Sequence, residues 1–217
     1  MTVDRRQLML YAVTDRSWLG GRTLEEQVEE AIEGGVTFLQ LREKTLDREA
    51  FFREALTIRE ICRKHGIPLI INDDWDIAKR ADADGVHVGQ SDLEAGKVRE
   101  LLGPDKIIGV SAHSVEEALR AEERGADYLG VGAVFPTGTK KDAGALSRET
   151  LRAICDAVRI PVVAIGGITR DNVMELAGTG ICGAAVVSGI FARENTRAAA
   201  EDMKAQIGRM LEAEGTP

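Results

Sequence analysis

Short apolar runs and amphipathic stretches alternate along the whole chain. Residues 8–13 form a first apolar, β-rich run. A helix is predicted from Thr23, which pairs with Glu26 three residues on as a capping box. Behind it, Leu24, Val28, Ala31 and Ile32 fall at helical spacing. The same reading predicts strands over residues 37–41, 68–71, 85–88, 106–110, 128–135, 161–165 and 183–187. Helices are predicted over 47–65, 75–80, 92–102, 115–124, 148–158, 170–176 and 196–212, with Ser114 and Ser147 as caps. Gly34, Gly66, Gly103, Gly125 and Gly178 stand where left-handed C-caps are expected.

That makes about eight strand–helix units in 217 residues. Continuous apolar runs point to strands buried on both faces, as in a parallel sheet. Such a series suits an open doubly wound sheet or a closed barrel. The repeat number and length favour the barrel, at its compact end. No linker or low-complexity segment interrupts the series, so residues 1–217 are expected to form a single α/β domain, a (β/α)8 TIM barrel.

Composition narrows the function. With 44% apolar and 29% charged residues the chain is not of a disordered class, and 4% aromatics call for an aliphatic core. The 28 basic and 36 acidic residues leave a net charge of −8, which argues against general nucleic-acid binding. Phosphate recognition would then need positive charge concentrated in a pocket. Cys62, Cys155 and Cys182 show no CxxC spacing and are expected to be reduced, mostly buried thiols of a cytoplasmic protein. The N-terminal apolar run meets Asp15 and Arg16 at once, too soon for a signal peptide or membrane span.

A barrel places its chemistry at the C-terminal ends of its strands. Those ends are polar: Thr14-Asp15, Gln40 to Lys44, Asn72-Asp73-Asp74, Gln90-Ser91-Asp92, Ser111-Ala112-His113, Thr137 to Lys141, Gly166-Gly167 and Ser188-Gly189. Asp73 and Asp92 close adjacent strands and suit Mg²⁺, while helix capping by Asp74 and Asp92 is an equal alternative. Arg42 and Lys44 share a strand face. The Thr- and Gly-rich loop carrying Lys140 has the donors for an anion; a solvated loop is the plain alternative. The two glycine turns after the last strands suit a phosphate. His87 reads as a core histidine and His113 as rim-facing, and neither a metal-ligand pair nor a nucleophile motif is present. The residues thus point to two anion sites in one pocket, one of them metal-assisted.

These segments resemble the thiamine-phosphate synthase family. The resemblance is carried in order by Tyr11 to Asp15, Gln40 to Lys44, Asn72-Asp73, Ala83 to Asp92, Gly109 to His113, Val131 to Ala143 and Ala164 to Ile168, with small departures at Val88, Ser114 and Ala133. It implies a TIM barrel joining 4-amino-2-methyl-5-pyrimidinylmethyl diphosphate to a thiazole phosphate, with Mg²⁺ and loss of diphosphate. It implies pyrimidine diphosphate contacts at Gln40, Leu41, Arg42, Glu43, Lys44, Asn72, Ser111 and Lys140. Asp73 and Asp92 become the Mg²⁺ ligands. Thr137, Gly138, Thr139, Gly167, Val187 and Ser188 become thiazole phosphate contacts. Arg42, Lys44, Ser111 and Lys140 form the expected catalytic set. The partners are then small molecules, with no nucleic acid or membrane, and a homo-oligomer is left open. A thiazole tautomerase using His113, or a non-catalytic thiazole phosphate binder, would have no use for Asp73, Asp92 and Lys140 together.

Overall fold

Side chains alternate across a strand, and in this chain the alternation sorts two apolar layers. In β1 (Leu10–Val13), Leu10 and Ala12 face outward while Tyr11 and Val13 face inward. The same parity runs through β2 (Phe38–Leu41), β3 (Leu69–Asn72), β4 (Gly85–Val88), β5 (Ile107–Ala112), β6 (Tyr128–Gly132), β7 (Val162–Ile165) and β8 (Gly183–Val186). The computed structural model describes residues 3–137 and 146–213, and in it these strands pair in parallel, each with the next, into a closed barrel. The outer layer packs under the helices. The inner layer, with Tyr11, Phe38, Ile70, Tyr128 and Val163, fills the barrel.

The helices are α1 (Leu24–Glu33), α2 (Arg48–His65), α3 (Trp75–Arg80), α4 (Ala95–Leu102), α5 (Val115–Glu123), α6 (Arg148–Ala157), α7 (Ser188–Phe191) and α8 (Thr196–Ala213). The Thr23–Glu26 capping box is formed, and Asp47, Asp74, Ser114 and Ser147 cap their helices. No helix among the described residues is long and apolar enough to cross a membrane.

Five expectations are corrected. The first strand starts only at Leu10, because Asp4 caps a 3-10 turn over Arg5–Leu8. The helix expected at 92 starts at Ala95: the Asp92 carboxylate turns back to accept the Gly89 N–H at 2.7 Å and caps no helix. Residues 170–176 supply only a 3-10 turn, Val173–Leu176. There the Asn172 side chain accepts from the Thr169 N–H at 2.8 Å and donates to the Gly167 carbonyl at 2.9 Å, tying up the segment where a helix would start. The strand expected to reach 135 ends at Gly132, although Val134 still donates to the Ile165 carbonyl at 3.0 Å. At the end of α1 the positive φ belongs to Gly35 (102°), not to Gly34, which stays helical at −74°.

Candidate active site

Inward parity carried past the C-terminal strand ends builds a cavity of about 530 Å³. From β2 onward Gln40, Arg42 and Lys44 line it, although the strand itself stops at Leu41. Leu41 and Glu43 have the opposite parity and do not line it. Leu41 is buried beneath the helices, and Glu43 turns its carboxylate into the surrounding loops. At β3 parity breaks to advantage. Asp73 adopts a left-handed backbone (φ 63°), so the consecutive residues Asn72 and Asp73 both reach the cavity. Non-glycine residues rarely sit there, and Asp is among those that tolerate it.

Each cation at this wall has an acidic partner. Lys44 Nζ lies 2.7 Å from Asp73 Oδ2, and Arg42 Nη1 lies 3.3 Å from Asp15 Oδ2. Burial, together with the charge of the neighbouring Asp73, raises the Asp92 carboxyl above its ordinary value. Among the described residues no cluster of three or more His, Cys, Asp or Glu side chains is grouped for a metal, so these two carboxylates are the acidic donors on offer.

Behind this wall Glu43 organises the loop. Its Oε1 accepts from the N–H of Lys44 at 2.8 Å and of Thr45 at 2.9 Å, and its Oε2 accepts from Arg16. Burial pushes the Glu43 carboxyl up, but these donors outweigh it and hold the group below its usual range. Arg16 also binds Glu54 of α2. Burial raises Glu54 to about 7, with Arg16 pulling down and Glu43 pushing up.

The opposite wall is backbone. Gly166 (φ 98°) and Gly167 (φ 66°) turn the chain after β7, while Val187 and Ser188 line the cavity at the start of α7, a helix the sequence reading missed. A Cβ on Gly167 would lie 2.5 Å from the Pro136 carbonyl oxygen, so that glycine is required by the neighbouring chain as well as by any ligand. Thr137 lines the cavity; Gly138, Thr139 and Lys140 lie outside the described residues. Ser111 and His113 line the side between the walls, with His113 Nδ1 3.1 Å from Glu117 Oε2.

Beneath the cavity, Gln40 and Ser111 are linked through Tyr11, Tyr128 and His87, three side chains that the sequence reading did not place in the site. Gln40 Nε2 donates to the Tyr11 hydroxyl at 2.5 Å. The Tyr11 and Tyr128 hydroxyls are 2.8 Å apart. Tyr128 reaches His87 Nδ1 at 3.0 Å, and His87 Nε2 reaches Ser111 Oγ at 3.0 Å. The alternation Leu-Tyr-Ala-Val in β1 already marks Tyr11 as an inward residue; its partners are far away in sequence.

The chain matches a family model described as thiamine monophosphate synthase over residues 10–190. It is 55% identical over 195 residues to the thiamine-phosphate synthase of Clostridium beijerinckii, covering 90% of this chain and 93% of that protein. It is 48% identical over 214 residues to the thiamine-phosphate synthase of Caldanaerobacter subterraneus subsp. tengcongensis, covering 98% of this chain and 100% of that protein. The thiamine phosphate pyrophosphorylase structure from Pyrococcus furiosus superimposes with a TM-score of 0.88 at 41% identity, covering 95% of this chain and 98% of that one. With the strand-end residues in one cavity and a family match across most of its length, the chain belongs to the thiamine monophosphate synthase family, a family of transferases.

Proposed function

We propose that this chain joins 4-amino-2-methyl-5-pyrimidinylmethyl diphosphate to a thiazole phosphate, giving thiamine phosphate and diphosphate. The observation that carries this reading is a cavity with two unlike walls, each with donors that suit an anion. One presents Arg42, Lys44, Asp73 and Asp92; the other presents the backbone at Gly167 and Ser188. A diphosphate leaving group suits the first wall and a phosphate monoester held by N–H and hydroxyl donors suits the second.

The carboxylates fit Mg²⁺. Asp73 and Asp92 offer hard oxygen donors, and burial together with their mutual charge already pushes Asp92 upward, a cost that a bound dication would relieve. When bound, Mg²⁺ would neutralise diphosphate oxygens. The protein does the rest. Arg42 and Lys44 exchange their acidic partners for the diphosphate and stabilise charge as the methylene C–O bond breaks, its electron pair leaving with the diphosphate. The aminopyrimidine ring donates electron density to the methylene cation. The thiazole nitrogen lone pair then forms the new C–N bond. The neutral nitrogen becomes a thiazolium and no proton moves, so neither a general base nor a protein nucleophile is needed. Gln40, Asn72 and Ser111 orient the pyrimidine, while Thr137, Gly167, Val187 and Ser188 hold the thiazole phosphate within reach.

The test is product analysis with both substrates, with Mg²⁺ and with EDTA. Coupling in Mg²⁺ and its loss in EDTA are expected; full activity in EDTA would contradict the metal assignment. Asp92→Asn keeps an oxygen for the Gly89 N–H and removes the charge. It is expected to raise the Mg²⁺ concentration for half-activity roughly tenfold or more, at least what removal of a supporting group around a metal costs. Thiazole phosphate affinity should stay unchanged.

A further inference from the structure

The hydrogen bonds on the cavity floor form one unbroken chain from Gln40 through Tyr11, Tyr128 and His87 to Ser111. Both phenols are fully buried and burial raises both well above the ordinary phenol range, so each carries one proton. A chain of single-proton groups has a direction. Gln40 donates to Tyr11, and in the Tyr11–Tyr128 contact, where either hydroxyl can donate, the Tyr11 proton can then pass to Tyr128. In that arrangement the Tyr128 proton is left to pass to His87 Nδ1, a ring atom that donates or accepts according to the tautomer. A neutral imidazole that accepts at Nδ1 carries its proton on Nε2. That proton would meet Ser111 Oγ, and the Ser111 hydroxyl proton would then turn toward the cavity that Ser111 lines.

Two glycines show that the strands make room for this chain. A Cβ on Gly109 would lie 2.2 Å from Tyr128 Cζ and 2.5 Å from His87 Nδ1, and one on Gly130 would lie 3.1 Å from His87 Cε1. Glycine within a strand weakens it and often marks a close approach. Here what approaches is the Tyr128–His87 pair.

We infer that this chain is a polarised wire that fixes His87 as the neutral Nε2–H tautomer and presents the Ser111 hydroxyl as a hydrogen-bond donor to a bare ring nitrogen of the pyrimidine. Tyr128, which does not line the cavity, is then a positioning residue acting through His87. The wire also reads the substrate. Read at N3, the ring nitrogen beside the amino-bearing carbon, an aminopyrimidine offers a lone pair, whereas its 4-oxo analogue carries its N–H there and meets the Ser111 donor with a donor of its own. This inference rests on the aminopyrimidine substrate proposed above.

The first measurement needs no substrate. Long-range ¹H–¹⁵N correlation on histidine-labelled protein at neutral pH, with His87 assigned by replacing His65 and His113, reports the tautomer directly. An Nε2–H imidazole is expected; an Nδ1–H imidazole or an imidazolium would overturn the wire. The second measurement is steady-state kinetics of Tyr128→Phe, with its melting temperature as the check on folding. The KM for the pyrimidine diphosphate should rise about tenfold, the value of one hydrogen bond lost from binding. The KM for thiazole phosphate should hold, and the preference for amino over 4-oxo diphosphate should fall by about the same factor. A folded Tyr128→Phe enzyme with unchanged pyrimidine KM and unchanged preference would overturn the positioning role. Failure of the wild-type enzyme to couple the substrates would instead overturn the proposed function and, with it, the pyrimidine reading of Ser111, while the tautomer result would still decide the wire itself.

Discussion

Asp73 shows how a single residue departs from the pattern around it. Its left-handed backbone places it beside Asn72 on the cavity wall, where strict alternation would have turned it away. Strand periodicity does not predict such a reversal, although the residue type tolerates it. The same limit explains the assignments of Leu41 and Glu43 to substrate. They lie between three true lining residues in sequence, but on the opposite face in space. His113 was correctly read as rim-facing: it lines the cavity and holds Glu117 through both its backbone N–H, at 2.7 Å, and Nδ1, at 3.1 Å. Because the proposed coupling moves no proton, His113→Asn is expected to keep kcat/KM within about tenfold of wild type. A loss of about 10³-fold, the scale of general acid–base catalysis, would assign His113 a proton-transfer role and favour a tautomerase-like chemistry.

At the scale of elements, the alternation of strands and helices was legible almost throughout, because each strand is a short apolar run and each long helix has an apolar stripe. What was not legible is where side chains rather than periodicity decide. Asn172 ties up one turn, Asp92 another, and α7 is too short to show a stripe. The Arg16–Glu43–Glu54 junction was equally hidden, its members being 27 and 38 residues apart. It joins the loop after β1, the loop after β2 and helix α2, and through Glu43 it shapes the backbone that presents Lys44. Arg16→Ala would leave two buried carboxylates facing each other without their cation, a loss of about 3 kcal/mol for a broken buried pair. At about 2–4 °C per kcal/mol for a chain of this size, melting should fall by roughly 6–12 °C at pH 8. Glu54 gives this effect a pH dependence. Its folded-state value, about 7, lies above the ordinary 4.5, so the folded protein binds the proton more tightly than the unfolded chain does. The resulting stabilisation is complete below about 4.5 and is lost as pH rises through about 7. The Arg16→Ala deficit should therefore be smaller at pH 5.5, where Glu54 is neutral. An equal deficit at both pH values would show that the charge on Glu54 is not what Arg16 offsets.

Across the whole molecule, the cavity and the seam that closes the barrel are built from different residues. The cavity gathers the strand C-termini, and its cations are held against acids within a chain of net charge −8. Closure runs along the side wall, where β8 pairs with β1 from Leu10–Ala184 to Ala12–Val186 and α8 packs against α1. Helix α8 buries Ala200, Met203, Ile207 and Met210, a stripe at helical spacing. Its approach to α1 depends on Gly34. This residue keeps an ordinary helical φ of −74°, so its lack of a side chain serves space and not backbone freedom. A Cβ there would lie 2.4 Å from the Arg197 carbonyl oxygen and 2.7 Å from Ala200 Cβ. Gly34→Ala must therefore push α8 outward at the seam where the last helix meets the first. Overpacking of this kind costs about 1–3 kcal/mol, which corresponds to a melting temperature lower by roughly 2–12 °C. Because Gly34 lies where α1 leads toward the N-terminal end of β2, away from the cavity, the KM values for both substrates and the Mg²⁺ requirement should not change. Thermal unfolding followed by circular dichroism, paired with steady-state kinetics at a temperature well below the transition, tests both halves. An unchanged melting temperature would show that the α1–α8 seam yields to a methyl group, and a change in KM with full stability would show that the seam and the cavity are coupled.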